Sequence, residues 1–427
     1  MLGRPTSYSP RGLTTPRPGA FAARRPRSLL ARAFARNSPL RHMDWILVVV
    51  VLGLTAIGTL LVWSATEPGL DAAGQDPRTY LKKQLLNVAI GLVLMIGVSL
   101  IDTRQLRTWA PFFYGGTVLA LLAVLTPLGS VVNGAQAWFS LPGGFQVEPN
   151  EFGKIALILI TAMIFSQSHP TASGGPRVRS LFIALACAAP LIGLVVVEPA
   201  LGVALVLVVV TVTMIVLSGL RLRVIAALTA VVAVIIAAAG GLDLLKDYQL
   251  TRFTSFLHPS QDLAGAGYNA AQAKIAVGSG GMFGVGLFHG TFTGNNFVPS
   301  QQTDFIFTVA GEELGFVGCA VIIGLLAILI IRAIRVAAVA DDLFGMLVAS
   351  GVAVWFTFQS FVNIGMTIGL MPITGLPLPF VSYGGSAMFA DMMAIGLLQS
   401  VRRRRCVFTD QLTPAANRMN LMLARRR

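Results

Sequence analysis

The side chains able to do chemistry in this chain stand at the edges of apolar runs. Asp304 lies in Gln301-Gln302-Thr303-Asp304-Phe305-Ile306-Phe307, where a polar loop meets a long apolar stretch. A carboxylate at such a partly desolvated boundary tends toward a raised pKa and suits a general base. Thr-Asp before an apolar helix is also a capping signature, so spacing alone leaves both roles open. Glu312 and Glu313 follow eight and nine residues later, about 12 Å deeper along a helix that rises 1.5 Å per residue. At that depth a charge must face a cavity or a partner, and a structural role in aligning helices is the favoured expectation.

Glu151 and Lys154 share one helix face at i, i+3 spacing. Pro149 and Asn150 mark a helix start there, where an acid also suits the dipole. The pair either stabilises that start or lines a polar cavity in which Lys154 meets phosphate. Glu198, in Glu198-Pro199-Ala200, is a further acid set between two apolar runs. Arg252, His258, Asp262 and Lys274 fall on one long loop. Arg252 and Lys274 could hold a pyrophosphate there, or all four could be solvated loop charge. Cys187, Cys319 and Cys406 have no metal-binding spacing, and the four histidines form no zincin pair. Gly278–Gly286 is glycine-rich but follows no strand, so a nucleotide loop is not supported.

The elements that must position these residues are membrane helices. The chain has 427 residues, 55% hydrophobic and 12% charged, with a mean hydropathy of +0.75. A soluble domain carries about 25% charged residues. Continuous apolar runs imply an all-α integral membrane protein rather than a β-barrel. Ten spans are expected, at about 45–65, 84–101, 110–129, 152–168, 179–197, 200–219, 223–240, 305–332, 343–366 and 380–401.

The net charge of +14 sits mainly at the ends: +9 in residues 1–43 and +7 in 401–427, leaving the middle at −2. That pattern excludes a nucleic-acid partner, whose basic patch would lie on a folded face, and suits tails beside an anionic membrane surface. Residues 1–43 read as a disordered basic tail, or as sequence ahead of a start at Met43; 44–403 form the membrane domain and 404–427 a second basic tail. Arg pairs at 104/107, 177/179, 221/223 and 332/335 and the cluster 402–405 put both termini in the cytoplasm. Lys82 and Lys83 then fall outside against that rule, offset by Glu67, Asp71 and Asp76.

Three segments on the outer side cannot be simple loops. Val131–Asn150 holds Asn133-Gly134, Trp138 and Gly143-Gly144. Gly241–Thr303 is far longer than ordinary connections, and its glycines suit re-entrant backbone. Met371-Pro-Ile-Thr-Gly-Leu-Pro-Leu-Pro379 cannot be continuous helix. Such backbone is tolerated at membrane depth where it lines a cavity.

Asn363-Ile-Gly-Met-Thr-Ile-Gly-Leu-Met-Pro-Ile-Thr-Gly-Leu-Pro-Leu-Pro-Phe-Val-Ser-Tyr-Gly-Gly-Ser386 closely resembles the signature of the SEDS family, the bacterial peptidoglycan polymerases typified by RodA and FtsW. Gly265-Ala-Gly-Tyr268, Ala276-Val-Gly-Ser-Gly-Gly281, Thr303-Asp-Phe-Ile-Phe307, Glu312-Glu313-Leu-Gly315, Asn133-Gly-Ala-Gln-Ala-Trp138 and Glu148-Pro-Asn-Glu-Phe-Gly-Lys154 match as well. The resemblance spans about 44–403, and Gly286-Leu-Phe-His-Gly-Thr291 leans toward RodA.

The resemblance implies ten helices with cytoplasmic termini in the bacterial cytoplasmic membrane. It implies glycosyl transfer on lipid II at the outer face, for cell-wall elongation and shape. Asp304 falls on the family's essential acid; Glu151, Lys154, Arg252, Lys274, Ser382 and Tyr383 are the implied substrate-binding set. Trp138, Glu198, Glu312 and Glu313 are the implied structural and cavity residues. A divalent cation, Mg or Mn, is the alternative source of positive charge for the leaving group. The implied partner is a class B penicillin-binding protein, a transpeptidase. The chain departs from the family at Ala200 for Asp, Ala137 for Arg and Gln302 for His. A lipid II flippase and a non-enzymatic scaffold that recruits a penicillin-binding protein are the competing expectations.

Overall fold

The computed structural model describes residues 43–132, 135–141, 145–168, 178–220, 223, 226 and 265–424. The helices are α1 (Trp45–Ala72), α2 (Thr79–Leu100), α3 (Thr103–Val124), α4 (Pro149–Ser166), α5 (Val178–Val197), α6 (Leu201–Leu217), α7 (Ala266–Ser279), α8 (Thr291–Gly294), α9 (Ile306–Ala338), α10 (Leu343–Thr367) and α11 (Gly385–Ala424). Apart from residues 223 and 226, the expected span at 223–240 lies outside the described residues, as do the loop residues Arg252, His258 and Asp262. The other nine expected spans each carry one of these helices. Six of them (α1, α2, α4, α5, α9 and α10) are long and apolar enough to cross a membrane. The last helix does not stop at the Arg402–Arg405 cluster but runs on to Ala424.

The helices divide by how much neighbours cover them. In α4 and α10, 78% and 72% of the apolar stretch is buried, against 28% in α2, α5 and α9. Helices α4 and α10 therefore form the middle of the bundle, and the others turn a side toward lipid. Helix α11 packs along α2, α9 lies against α10 and α1, and α10 also touches α4 and α6. Two acids clamp one end of the bundle. Asp44, the N-cap of α1, accepts from Arg332 and Arg402. Asp342, the N-cap of α10, accepts from Arg107 at 3.1 Å and Arg404 at 2.9 Å.

The segment before α4 forms a small antiparallel meander, which the sequence reading left as irregular. Strand β1 (Ser130–Val132) pairs with β2 (Ala135–Leu141), and β2 with β3 (Phe145–Val147). The registers are Ser130 with Trp138 and Phe139 with Val147, with a bulge at Ser130/Val131.

The glycine-rich run of the long loop inserts into α9. That helix is interrupted at Gly315, whose φ is 66° and ψ −164°, a conformation open mainly to glycine. The freed backbone groups are taken up by the loop. Phe316 N donates to Gly281 O at 2.9 Å and Val317 N to Met282 O at 3.1 Å, while Val285 N donates to Glu312 O at 3.0 Å.

Candidate active site

A cavity of about 440 Å³ opens among the ends of these elements, and the broken segments wall it. The meander contributes Ala137, Trp138 and Gln146; the start of α4 contributes Glu148 and Glu151. The turn between α5 and α6 contributes Glu198, Pro199 and Ala200. Ser300, Thr303 and Asp304 precede α9, and Thr374, Gly375 and Pro377 come from the proline-rich segment. Tyr383 to Ala387 lead into α11, and α2 adds Lys83 and Asn87.

Asp304 reaches this cavity because its loop is tied down on both sides. Asn363 Nδ2 donates to the Asp304 carbonyl at 2.8 Å and to the Leu376 carbonyl at 2.7 Å. Ser382 Oγ donates to the Thr303 carbonyl at 2.6 Å and accepts from Leu378 N at 2.7 Å. Tyr383 N donates to Gln302 O at 2.9 Å. The proline-rich segment thus lies beside Asp304; a Cβ on Gly375 would sit 3.6 Å from Asp304 Oδ2. The N-cap of α9 is Phe305, one residue after Asp304.

Glu151 lines the cavity, whereas Lys154 lies behind it. Lys154 Nζ is fully buried, 2.7 Å from Glu151 Oε2 and 3.1 Å from Gln359 Oε1, with the Trp355 ring centroid at 4.6 Å. Trp355 Nε1 donates to Gln359 Oε1 at 2.6 Å, and Gln359 Nε2 to the Pro377 carbonyl at 2.8 Å. The pair and its amide therefore brace the cavity wall at Pro377. Pro149 at the first position of α4 presets the helix turn that brings Glu151 and Lys154 to one side.

Two further acids face the same space. Asn150 Nδ2 donates to Glu148 at 2.9 Å and to Glu198 at 3.4 Å, bridging the two carboxyls. Burial, reinforced by the Glu151 charge, pushes Glu148 up to about 7. Burial likewise pushes Glu198 up to about 8, against the opposing hydrogen bond from Asn150. Glu198 Oε1 is buried with no hydrogen-bond partner.

Glu312 and Glu313 do not line this cavity. Glu312 accepts from Phe292 N at 2.8 Å, Thr293 N at 2.9 Å and Thr293 Oγ1 at 2.7 Å. Glu313 accepts from Ser64 Oγ at 2.5 Å, and that hydroxyl accepts from Phe288 N at 3.0 Å. Glu312 fastens the re-entrant loop through backbone N–H groups, and Glu313 reaches it through the Ser64 hydroxyl of α1. Lys274 lies across Gly369 in the turn after α10, away from the cavity lining.

Sequence reasoning passed over Glu148 and Lys83 as site residues. Glu148 stood in a quoted motif without a role. Lys83 showed only as an exception to the charge rule for membrane loops. Among the described residues, no three His, Cys, Asp or Glu side chains are grouped to hold a metal ion.

The profile of the FtsW, RodA and SpoVE proteins, described as cell cycle proteins, matches residues 44–406. The chain is 37% identical over 373 residues to a probable peptidoglycan glycosyltransferase FtsW from Trichlorobacter lovleyi, covering 85% of this chain and 93% of that one. It is 36% identical over 364 residues to the peptidoglycan glycosyltransferase MrdB of Escherichia coli, covering 85% and 94%. The rod-shape protein RodA of Thermus thermophilus has a crystal structure that superposes with a TM-score of 0.61 at 30% identity, covering 85% of this chain and 97% of that one. A chain from a peptidoglycan synthase complex that couples polymerisation and crosslinking superposes with a TM-score of 0.70 at 30% identity, covering 85% and 98%. Relatives from both the RodA and the FtsW branches match at similar identity. The chain belongs to the SEDS family, the multi-pass membrane peptidoglycan glycosyltransferases of the FtsW, RodA and SpoVE type.

Proposed function

We propose that this chain polymerises glycan from lipid II at the outer face of the cytoplasmic membrane, with Asp304 as the general base. Peptidoglycan glycosyltransfer is the activity of its family; substrate, membrane face and residue roles are our reading of this chain. The observation that carries it is the position of Asp304 in a cavity walled by Glu148, Glu151, Glu198, Trp138 and Tyr383.

The acceptor's sugar hydroxyl attacks the donor's anomeric carbon. Its proton passes to the Asp304 carboxylate, a new C–O bond forms, and the bond from that carbon to the lipid diphosphate breaks. A positioned base contributes about 10²- to 10⁴-fold to such a step. Asn363 and Ser382 fix the Asp304 loop by its carbonyls, which supports a base held in place before substrate arrives. Glu151 serves at the cavity wall with Lys154 as its buried counter-ion, and Tyr383 and Trp138 offer ring faces to sugar.

We assign a class B penicillin-binding protein as partner, supported by the likeness to a chain taken from a peptidoglycan synthase complex. The resemblance of Gly286–Thr291 to RodA supports a role in elongation. Purified full-length chain with its cognate transpeptidase and labelled lipid II tests the reading. Wild type should make long glycan, and Asp304→Asn should lose at least about 100-fold of that rate. A folded Asp304→Asn protein that polymerises like wild type overturns the assignment.

A further inference from the structure

Lys82 and Lys83 are adjacent, yet their surroundings differ. Lys82 Nζ pairs with Asp76 Oδ2 at 2.6 Å on the exposed surface, with 67% of its side chain open. One residue later the helix has turned by about 100°, and Lys83 lines the cavity. It is the one basic side chain among the described residues that does so. Its ammonium makes no ion pair among the described residues; it stands 5.8 Å from the centroid of the Tyr80 ring. Tyr80 in turn meets the cavity residue Tyr383 edge-on, with centroids 5.0 Å apart.

The face of α2 that carries Tyr80, Lys83 and Asn87 is thus turned to the cavity. Asn87 also lines it and has its buried Oδ1 unpartnered. The other faces of the same helix carry exposed Leu85, Leu86 and Val93, which suit lipid. An unpaired ammonium at a half-buried wall is costly unless an anion arrives to meet it. Of the other basic residues considered for this task, Lys154 is held by Glu151 and Gln359, Lys274 is outside the lining, and Arg252 lies outside the described residues.

We propose that Lys83 binds the diphosphate of the lipid-linked substrate, at the junction between the lipid-facing surface of α2 and the polar cavity. This deepens the polymerase reading and rests on it. In a lipid-linked sugar the diphosphate is the group between acyl chain and glycan, and Lys83 stands between the same two environments. Tyr80 is a positioning residue that holds the ammonium toward the cavity through its ring. When the glycosyl bond breaks, negative charge grows on the departing diphosphate, and Lys83 meets it there.

The test is binding of undecaprenyl diphosphate to the detergent-solubilised full chain, with undecaprenol as the uncharged control, alongside strand synthesis from lipid II. Lys83→Gln should weaken diphosphate binding by about 10- to 100-fold, the span of one charge-assisted hydrogen bond. Undecaprenol binding should stay unchanged. Lys83→Arg should restore most of the affinity, and Lys82→Gln should match wild type. Thermal melting equal to wild type shows that Lys83→Gln is folded. If wild type binds and polymerises and Lys83→Gln binds the diphosphate within twofold of it, this inference fails alone. If wild type neither binds the diphosphate nor polymerises with its transpeptidase, the inference and the polymerase reading fail together.

Discussion

Lys154→Met removes the most deeply buried charge of the site while keeping a chain of similar length. The ammonium it deletes is fully buried, 2.7 Å from Glu151 and 3.1 Å from Gln359. Glu151 would remain with its side chain 3% exposed and no cation beside it. Leaving one member of such a pair behind costs about 3–5 kcal/mol, roughly 150- to 5,000-fold in the folding equilibrium. Glu151→Gln/Lys154→Met removes both charges, and replacing a buried pair by neutral groups is often close to neutral. The double variant should therefore be more stable than Lys154→Met alone. The assay is thermal unfolding of the full chain in detergent, followed by tryptophan fluorescence. The expected order of midpoints is wild type, then the double variant, then Lys154→Met well below both. A double variant as unstable as Lys154→Met would refute the view that the pair compensates itself. Strand synthesis supplies a second readout: the folded double variant should be slow, because Glu151, unlike Lys154, lines the cavity.

Two other predictions concern the walls of the site. Glu148 and Glu198 rise from an ordinary 4.5 to about 7 and about 8, so the folded chain keeps protons that the unfolded chain releases. Their stabilising contribution is full below pH 4.5 and fades as pH climbs through 7 and 8; thermal midpoints across that range should fall with pH, and Glu198→Gln should flatten the decline. Gly280→Ala would drive a Cβ against the Gly311 carbonyl oxygen and to 2.5 Å from the Glu312 carbonyl oxygen, an overpacking cost of about 1–3 kcal/mol. The expected result is a lower melting temperature and faster proteolysis in 278–297, and an unchanged midpoint would mean that this approach is not tight.

Much of the helical frame was legible because continuous apolar runs leave few alternatives, and Arg pairs mark their ends. The small meander was not. Its outer strands are three residues long, too short for alternation to show. Asp304 was visible as a boundary acid, but no spacing rule puts Phe305 rather than Asp304 at the N-cap position. Glu312 and Glu313 were expected to serve structure by aligning helices. They do so through the N–H groups of Phe292 and Thr293 and the hydroxyl of Ser64. Phe292 and Thr293 lie on a loop and Ser64 on α1, and only tertiary contact brings them to α9. Glu148 and Lys83 were missed because each is ordinary in its own stretch; only folding brings β3, α2 and the α9 start to one cavity.

The charge balance of that cavity explains how an acid-rich wall can take an anionic substrate. Its ionisable lining is Glu148, Glu151, Glu198 and Asp304 against Lys83. Fully ionised and unpaired, such a set would repel a diphosphate. Glu151 is neutralised from behind by Lys154 at 2.7 Å. Burial holds protons on Glu148 up to about 7 and on Glu198 up to about 8. Near neutral pH this lowers the negative charge of the wall around Asp304 and Lys83. The first suits removal of a proton from a sugar hydroxyl, and the second suits the leaving diphosphate. Ala200 belongs to the same balance. It caps α6 without a side-chain hydrogen bond and lines the cavity beside Glu198. An aspartate there would return a carboxylate to a wall that burial keeps protonated. On the diphosphate reading proposed above, Ala200 spares the wall that additional charge.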